Sequence, residues 1–175
     1  QQLYEGVELG SQGSVGLITY MRTDSVNLAE KFLHEAGSYL KQSLGDRYAL
    51  PQPRRYKTKS RLAQEAHEAI RPTEAHREPD SLRAFLNDNQ SKLYDLIWKR
   101  ALASQMPEAE LEQSTVDIQG EAKAETFTFR ATGSIIRFDG YLKLYPDASK
   151  EIFLPAVTTG DNVDLKKLDP AQHFT

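Results

Sequence analysis

Two residues in the stretch GLITYMRTDSVNLAE could do chemistry together, namely Tyr20 and Arg22, which are two positions apart. The apolar run before them predicts a strand, and residues two apart on a strand point to the same face. A strand built only for a core would carry aliphatic side chains at both positions. The pattern therefore predicts a phenol beside a fixed positive charge.

A phenol beside a guanidinium suits phosphoryl transfer. A tyrosine hydroxyl can act as a covalent nucleophile when a neighbouring charge or base activates it. Arginine can favour the phenolate and can hold phosphate oxygens through a planar, two-pronged contact. Asp24 or Ser25 is a candidate helix cap, and the amides of a helix beginning there would attract an anion to the same place. From spacing alone, half-buried packing remains the simpler interpretation of Tyr20.

The stretch QEAHEAIRPTEAH is a second candidate for chemistry. It predicts a short helix over Gln64–Ile70 that ends at the following proline, with His67 and Arg71 on one face and Glu68 pointing elsewhere. Histidine can transfer a proton near neutral pH, and arginine can clamp a phosphate. A surface helix carrying ion pairs is the alternative interpretation.

Composition limits the class of protein. The 175 residues are 39% apolar and 27% charged, which is typical of a soluble domain. No apolar run is long enough to predict a transmembrane helix, and the N-terminus lacks the regions of a signal peptide. The chain begins with Gln1 rather than methionine, which suggests a segment of a longer protein. The absence of cysteine excludes thiolate chemistry, the histidines show no metal-ligand spacing, and a cytoplasmic setting is expected.

The net charge of −3 does not by itself indicate a nucleic-acid partner. A basic cluster without any acid nevertheless occupies eight consecutive residues, and such a cluster can contact phosphates or can simply be a solvated loop. Its members are Arg54, Arg55, Lys57, Lys59 and Arg61.

Two kinds of periodicity divide the chain. Up to Met106 the pattern is mostly helical, with an amphipathic helix from Ser25 to Gly45, a helix capped by Asp80, and a helix over about Gln90–Gln105. Trp98 in the last of these is expected in the core, together with inward-facing leucines at 93 and 96. After Met106, short alternating runs, including 151–157 and 162–168, predict an antiparallel meander. The sequence therefore predicts an α+β fold, with one domain over 1–106 and a β-rich segment over 107–175.

Five motifs occur in an order that resembles one family. They are GLITYMRTDS, EAHEAIRPT about fifty residues later, LYDLIWKRALASQM, GSIIRFDGYLKLYP and a final LPAVTTGDNVDL with LDPAQHFT. Together they resemble the type IA DNA topoisomerases of bacteria over essentially the whole chain, and the first two motifs are the most specific.

The resemblance implies roles for particular residues. Tyr20 matches the nucleophile that cleaves single-stranded DNA and forms a 5′-phosphotyrosine link. Arg22 matches the arginine that positions the scissile phosphate, and His67 matches a histidine that assists proton or phosphate handling. Three further residues in the matched motifs are expected to support the site or contact DNA: Thr23, Asp24 and Arg71.

The resemblance also implies an architecture and partners. Residues 1–106 would be the tyrosine-bearing, winged-helix-like domain, and 107–175 part of a β-rich arch that acts as a hinge. The longer protein would relax negatively supercoiled DNA in the bacterial nucleoid without ATP. It would use Mg²⁺ held by acidic ligands in a Toprim domain outside this chain, so the chain alone is expected not to cleave or relax DNA.

Two other function classes stay open at this point. A non-catalytic winged-helix module would bind DNA through the basic cluster and would not need Tyr20. A structural interaction domain would use a β edge to bind a partner and would have no affinity for DNA.

Overall fold

A computed structural model describes residues 1–56, 67–147 and 150–172. These residues form helices and antiparallel strands, so the predicted α+β class is confirmed. Among them, no helix is both long enough and apolar enough to cross a bilayer.

The chain divides into two compact units, each made of two segments. The first unit comprises Gln1–Glu112 and Ile136–Lys150, and the second comprises Gln113–Ile135 and Glu151–Thr175. The domain boundary near residue 106 stays a prediction.

The first unit holds the helices and the main core. Its regular elements are α1 (Gln2–Glu5), β1 (Val7–Glu8), β2 (Ser14–Val15), α2 (Glu30–Leu44) and α3 (Asp88–Ala103). β1 and β2 pair antiparallel, with Val7 opposite Val15. Buried side chains from α2, α3 and the segment around Leu17 form one apolar cluster.

Helix α2 begins five residues later than predicted. Ser25 does not cap it, because its hydroxyl accepts the N–H of Asn27 at 3.1 Å and closes a local turn instead. The carbonyl of Asn27 accepts the N–H of Ala69 at 2.7 Å, which holds this stretch extended. Within the helix the predicted apolar face is confirmed, because Phe32, Leu33, Ala36 and Leu40 are buried. Val26, the first residue predicted for that face, lies before the helix and is 44% exposed, and the helix ends before Gly45 as expected.

Helix α3 begins with a capping box. The side chain of Asn87 accepts the N–H of Gln90, the side chain of Gln90 accepts the N–H of Asn87, and both distances are 3.0 Å. Trp98 is in the core as predicted, and its indole N–H donates to the carbonyl of Ala75 at 2.8 Å. The helix therefore fixes the loop that follows residue 73.

Three helical predictions in this unit are wrong. Leu93 and Leu96 are 48% and 59% exposed, because the buried side of α3 is formed by Tyr94, Trp98 and the alanines near its end. Asp80 caps no helix; it lies in the 3₁₀ helix Pro79–Leu82 and pairs with Arg83 at 2.9 Å. Residues 67–70 are not helical, while the start of the helix predicted over Gln64–Ile70 lies outside the described residues.

The β-rich part is one hairpin rather than a meander. Strands β3 (Glu110–Ala122) and β4 (Glu125–Phe138) are joined by Lys123 and Ala124, whose φ angles are 50° and 68°. A two-residue connection with positive φ at both positions matches the twist of the strands. The strand predicted over 151–157 is reduced to a bridge between Ile152 and Ser134, and that over 162–168 does not form.

We expect Gln105 to be important for the stability of the first unit. Its side chain is only 3% exposed, and it accepts the N–H of Arg54 at 3.0 Å and donates to the carbonyl of Arg54 at 3.1 Å. Replacing it with alanine leaves two backbone groups without these partners, which costs about 1–3 kcal/mol. Urea unfolding followed by the fluorescence of Trp98, the single tryptophan, measures this loss.

Gln42→Ala is the matched control, because Gln42 is exposed on α2. It should change the free energy of unfolding by less than about 0.5 kcal/mol. Equal effects of the two substitutions would contradict the role assigned to Gln105.

Candidate active site

A short backbone ladder brings the two candidate motifs together in the first unit. The N–H of Thr19 donates to the carbonyl of Arg71, and the N–H of Thr73 donates to the carbonyl of Leu17, both at 2.9 Å. Between these bonds, Ile18 and Pro72 form an antiparallel bridge, and the missing N–H of proline leaves no donor unpaired there. From residue 67 to residue 73, the second motif is thus an extended segment rather than a helix.

The side chain of Thr19 adds a second attachment between the motifs. Its hydroxyl donates to the carbonyl of Ala69 at 2.7 Å and accepts the N–H of Arg71 at 3.0 Å. The hydroxyl therefore uses its donor and an acceptor site on the same facing segment. Thr19 is a site residue that sequence reasoning missed, although it directly precedes Tyr20.

Tyr20 lies just beyond the ladder and is accessible. Its side chain is 52% exposed, and no hydrogen bond to its hydroxyl is found in the described part of the chain. The edge of one ring faces the other in the pair Tyr4–Tyr20, with ring centroids 5.3 Å apart and an interplanar angle of 68°. Such contacts restrict ring orientation without occupying the hydroxyl.

The predicted strand through Tyr20 and Arg22 is wrong. The N–H of Arg22 donates to the carbonyl of Tyr20 at 2.8 Å, which closes a three-residue turn. The two residues therefore do not share the face of a strand. They still line the same cleft, because the turn keeps both side chains beside the second motif.

The guanidinium of Arg22 connects the two motifs. Its Nη1 lies 3.1 Å from Nε2 of His67, and its Nε lies 2.7 Å from a carboxylate oxygen of Asp24. Arginine is only a donor, so Nε2 must be the acceptor and the proton of this neutral ring is assigned to Nδ1. The pair Arg22–Asp24 is exposed, and such a pair contributes about 0–1 kcal/mol, so a bound phosphate can compete for the guanidinium.

Arg71 lies on the buried side of the candidate site. Its side chain is 12% exposed, pairs with Glu68 at 2.6 Å and packs over the ring of Phe32 at 4.8 Å. Its Nη1 also donates to the carbonyl of Pro72, whereas its buried Nε has no partner within the described ranges. These contacts of Arg71 are all with residues of the first unit. Glu68 was expected to point elsewhere but lines the cleft.

The cleft around these residues has a volume of about 420 Å³ and is open to solvent. It is formed by α1, the segment after β2 and the second motif. Its lining residues are Tyr4, Gly16, Ile18, Thr19, Tyr20, Arg22, His67, Glu68 and Thr73. Tyr4 is a lining residue without any signal in the sequence, because only folding brings α1 beside Tyr20.

The other predicted DNA contacts lie elsewhere or are not described. Thr23 is exposed next to the cleft. Arg54 lies 3.8 Å from Glu108, and Arg55 pairs with Glu30 at 2.5 Å; neither arginine lines the cleft. Three further predicted contacts are outside the described residues: Lys57, Lys59 and Arg61.

No group of three or more potential metal ligands occurs within residues 1–56, 67–147 and 150–172. The acidic side chains at the cleft are instead engaged with arginines, Asp24 with Arg22 and Glu68 with Arg71. The described residues thus do not fit a magnesium site.

Comparisons with known proteins identify relatives of this chain. The family model described as DNA topoisomerase matches residues 1–175. DNA topoisomerase 1 from Xylella fastidiosa strain 9a5c is 44% identical over 184 residues, a match that covers 100% of this chain and 22% of that protein. The protein of the same name from strain Temecula1 gives the same identity and coverage.

A solved structure is also similar. Full-length topoisomerase I from Thermotoga maritima matches 92% of this chain and 24% of its own, with 34% identity and a TM-score of 0.72. The chain thus spans about a fifth of the length of the curated relatives it matches. From the match of the family model to the full length of the sequence, we conclude that the chain belongs to the bacterial, type IA family of DNA topoisomerases.

Proposed function

We propose that the longer protein containing this chain cleaves single-stranded DNA through Tyr20, passes a strand through the break and religates it. The observation that carries the proposal is the contact between Arg22 and His67, at 3.1 Å, in the same cleft as an exposed tyrosine hydroxyl. A packing role for Tyr20 would not require a guanidinium and an imidazole beside it. The overall result would be the relaxation of negatively supercoiled DNA.

In the cleavage step, the oxygen of Tyr20 forms a bond to the scissile phosphorus while the bond from phosphorus to the 3′ oxygen breaks. The phenol loses its proton and the departing 3′ oxygen gains one. The DNA is then held as a 5′-phosphotyrosine ester beside a free 3′-hydroxyl. Attack by that hydroxyl reverses the step, so the phosphoester is conserved and no ATP is required.

Arg22 and His67 would assist this step in different ways. The guanidinium of Arg22 would hold two phosphate oxygens and offset the charge that develops on them. When Arg22 turns to the phosphate, Nε2 of His67 loses its donor and becomes free to accept or relay a proton. Asp24 would hold Arg22 in place until DNA binds, and Arg71 would fix the segment that carries His67.

The family's Mg²⁺ would be held by residues of a Toprim domain outside this chain. In this proposal residues 1–106 act as the winged-helix-like tyrosine domain, and residues 107–175 as part of the β-rich hinge. The other domains of the same polypeptide and nucleoid DNA in the cytoplasm would be its partners.

The first prediction concerns the nucleophile. In the full-length protein, Tyr20→Phe should abolish the covalent adduct with end-labelled single-stranded DNA, because the attacking oxygen is gone. Denaturing gels of quenched reactions measure the adduct. Tyr4→Phe is the control; it keeps the edge contact to Tyr20 and should retain the adduct. Persistent adduct in Tyr20→Phe, or DNA binding without adduct in the parent, would leave a non-catalytic binding module.

The second prediction concerns the guanidinium. Arg22→Ala should lower the single-turnover rate of cleavage by about 10²–10³-fold, the usual cost of removing one group that stabilises developing charge. Arg83→Ala serves as control, because Arg83 is exposed, pairs with Asp80 and does not line the cleft. Comparable rates for the two variants would exclude a role for Arg22 in the chemical step.

The third prediction concerns the chain by itself. With Mg²⁺ present, the purified 175-residue chain should not relax a negatively supercoiled plasmid, because the metal-binding domain is missing. Agarose gels of topoisomers provide the measurement, with full-length protein as the positive control. Relaxation by the chain alone would overturn the assignment of the metal ligands to another domain.

A further inference from the structure

A second cleft in the first unit is lined by three tyrosines and one arginine. Its volume is about 320 Å³, and it lies beside the last turn of α3. The chemically distinctive members are Tyr56, Arg100, Tyr141 and Tyr145. None of these residues lines the cleft of Tyr20.

A glycine allows the aromatic wall to form. Gly140 has a φ of 49°, and a Cβ added there would lie 2.4 Å from the carbonyl oxygen of Glu108. Any side chain at this position would therefore push the 3₁₀ helix Gly140–Leu144 away from the backbone after α3. With glycine, the N–H of Tyr141 donates to the carbonyl of Pro107 at 3.0 Å.

Two of the tyrosines expose ring surface, and the hydroxyl of one of them is hydrogen-bonded. Tyr56 and Tyr141 are 45% and 39% exposed, and the hydroxyl of Tyr56 donates to the carbonyl of Ser104 at 3.0 Å. The rings of Tyr141 and Tyr145 meet edge to face, 6.5 Å apart. Burial raises the pKa of Tyr145, so its phenol stays neutral and does not repel an anion.

Arg100 supplies the charge. It is exposed in the last turn of α3, and no ion pair or side-chain hydrogen bond to it occurs within the described ranges. Most other arginines of this unit are paired with carboxylates, including Arg22, Arg55 and Arg71. An aromatic wall beside an unpaired guanidinium suits a ligand with a flat ring and a negative charge.

The two clefts share a wall. His67 and Glu68 line the cleft of Tyr20, and the next two residues, Ala69 and Ile70, line the second cleft. A strand of DNA that lies over His67 would therefore need to extend only past this segment to reach the tyrosines.

We propose that the second cleft binds a nucleotide of single-stranded DNA, with its base stacked on Tyr141 or Tyr56 and its phosphate on Arg100. This inference rests on the proposed function for its ligand, but it requires no covalent chemistry. It adds a noncovalent contact beside the cleavage site, which would position the strand before Tyr20 attacks.

The test uses the 175-residue chain carrying Tyr20→Phe, so that binding is measured without cleavage. Oligo(dT) containing 5-iododeoxyuridine is bound, irradiated and digested, and the crosslinked peptides are identified. We expect crosslinks at Tyr56, Tyr141 or Tyr145. Crosslinks confined to the cleft of residue 20, or no binding at low salt, would overturn the proposal. The absence of a covalent adduct with full-length protein that retains Tyr20 would count only against the proposed function.

Substitutions separate the base contact from the phosphate contact. Tyr141→Leu should weaken binding of oligo(dT) by about 5–150-fold, the usual effect of losing one stacked base, and Tyr141→Phe should retain it. Phe85→Leu is the control, because Phe85 is 44% exposed and lines neither cleft. Equal affinities for Tyr141→Leu and Phe85→Leu, with intact thermal unfolding, would refute stacking on Tyr141, and the same result for Tyr56→Leu would refute stacking in this cleft.

Arg100→Gln should reduce the slope of log affinity against log salt by about 0.7, as expected for one phosphate contact to a single strand. Arg83→Gln, at an arginine already paired with Asp80, should leave the slope unchanged. An unchanged slope for Arg100→Gln would exclude a phosphate contact at Arg100. Undiminished binding of an abasic oligonucleotide would exclude stacking of a base in the cleft.

Discussion

Backbone hydrogen bonds between residues 17–19 and 71–73 determine the geometry of the candidate active site. Two backbone bonds and the hydroxyls of Thr19 and Thr73 join the segments, and they bring a tyrosine and a histidine from distant parts of the sequence to one cleft. Because the ladder is short, packing must also hold the two segments in position. The buried side chains of Leu17 and Ile18 and the guanidinium of Arg71 on Phe32 provide that packing. Helix α3 adds a further constraint by binding the carbonyl of Ala75 through Trp98.

The same segment has a different role on each side. Residues 67 and 68 face the candidate chemistry, and 69 and 70 face the tyrosine-lined cleft. An extended backbone of four residues shifts as a whole. A ligand that displaced this segment from one cleft would therefore also move the lining of the other. In the proposed function, the two clefts would therefore act as one binding surface.

Local patterns predicted helices α2 and α3, but they also predicted helical structure at residues 67–70 and a helix capped by Asp80, neither of which forms. The apolar spacing on α2 and the position of Trp98 follow from helical period, and both are as predicted. The start of α2 could not be predicted, because Asn27 is held by Ala69, a contact far along the sequence. The extended form of residues 67–70 has the same origin: it depends on backbone partners that no local pattern indicates. Tyr20, Arg22 and His67 were identified from their types and their motifs, whereas Tyr4 and Glu68 became apparent only in three dimensions.

Gly16 has a consequence that extends beyond packing. A Cβ there would lie 2.7 Å from the carbonyl oxygen of Tyr4, so α1 can approach the tyrosine-bearing segment only because position 16 has no side chain. A larger residue would displace α1 from this segment, and the ring of Tyr20 could then adopt more rotamers. A smaller fraction of the rotamers would then direct the hydroxyl oxygen of Tyr20 at phosphorus, so the attack would have a larger entropic barrier. In the proposed function, the lack of a side chain at position 16 would thus restrict the orientation of the attacking oxygen.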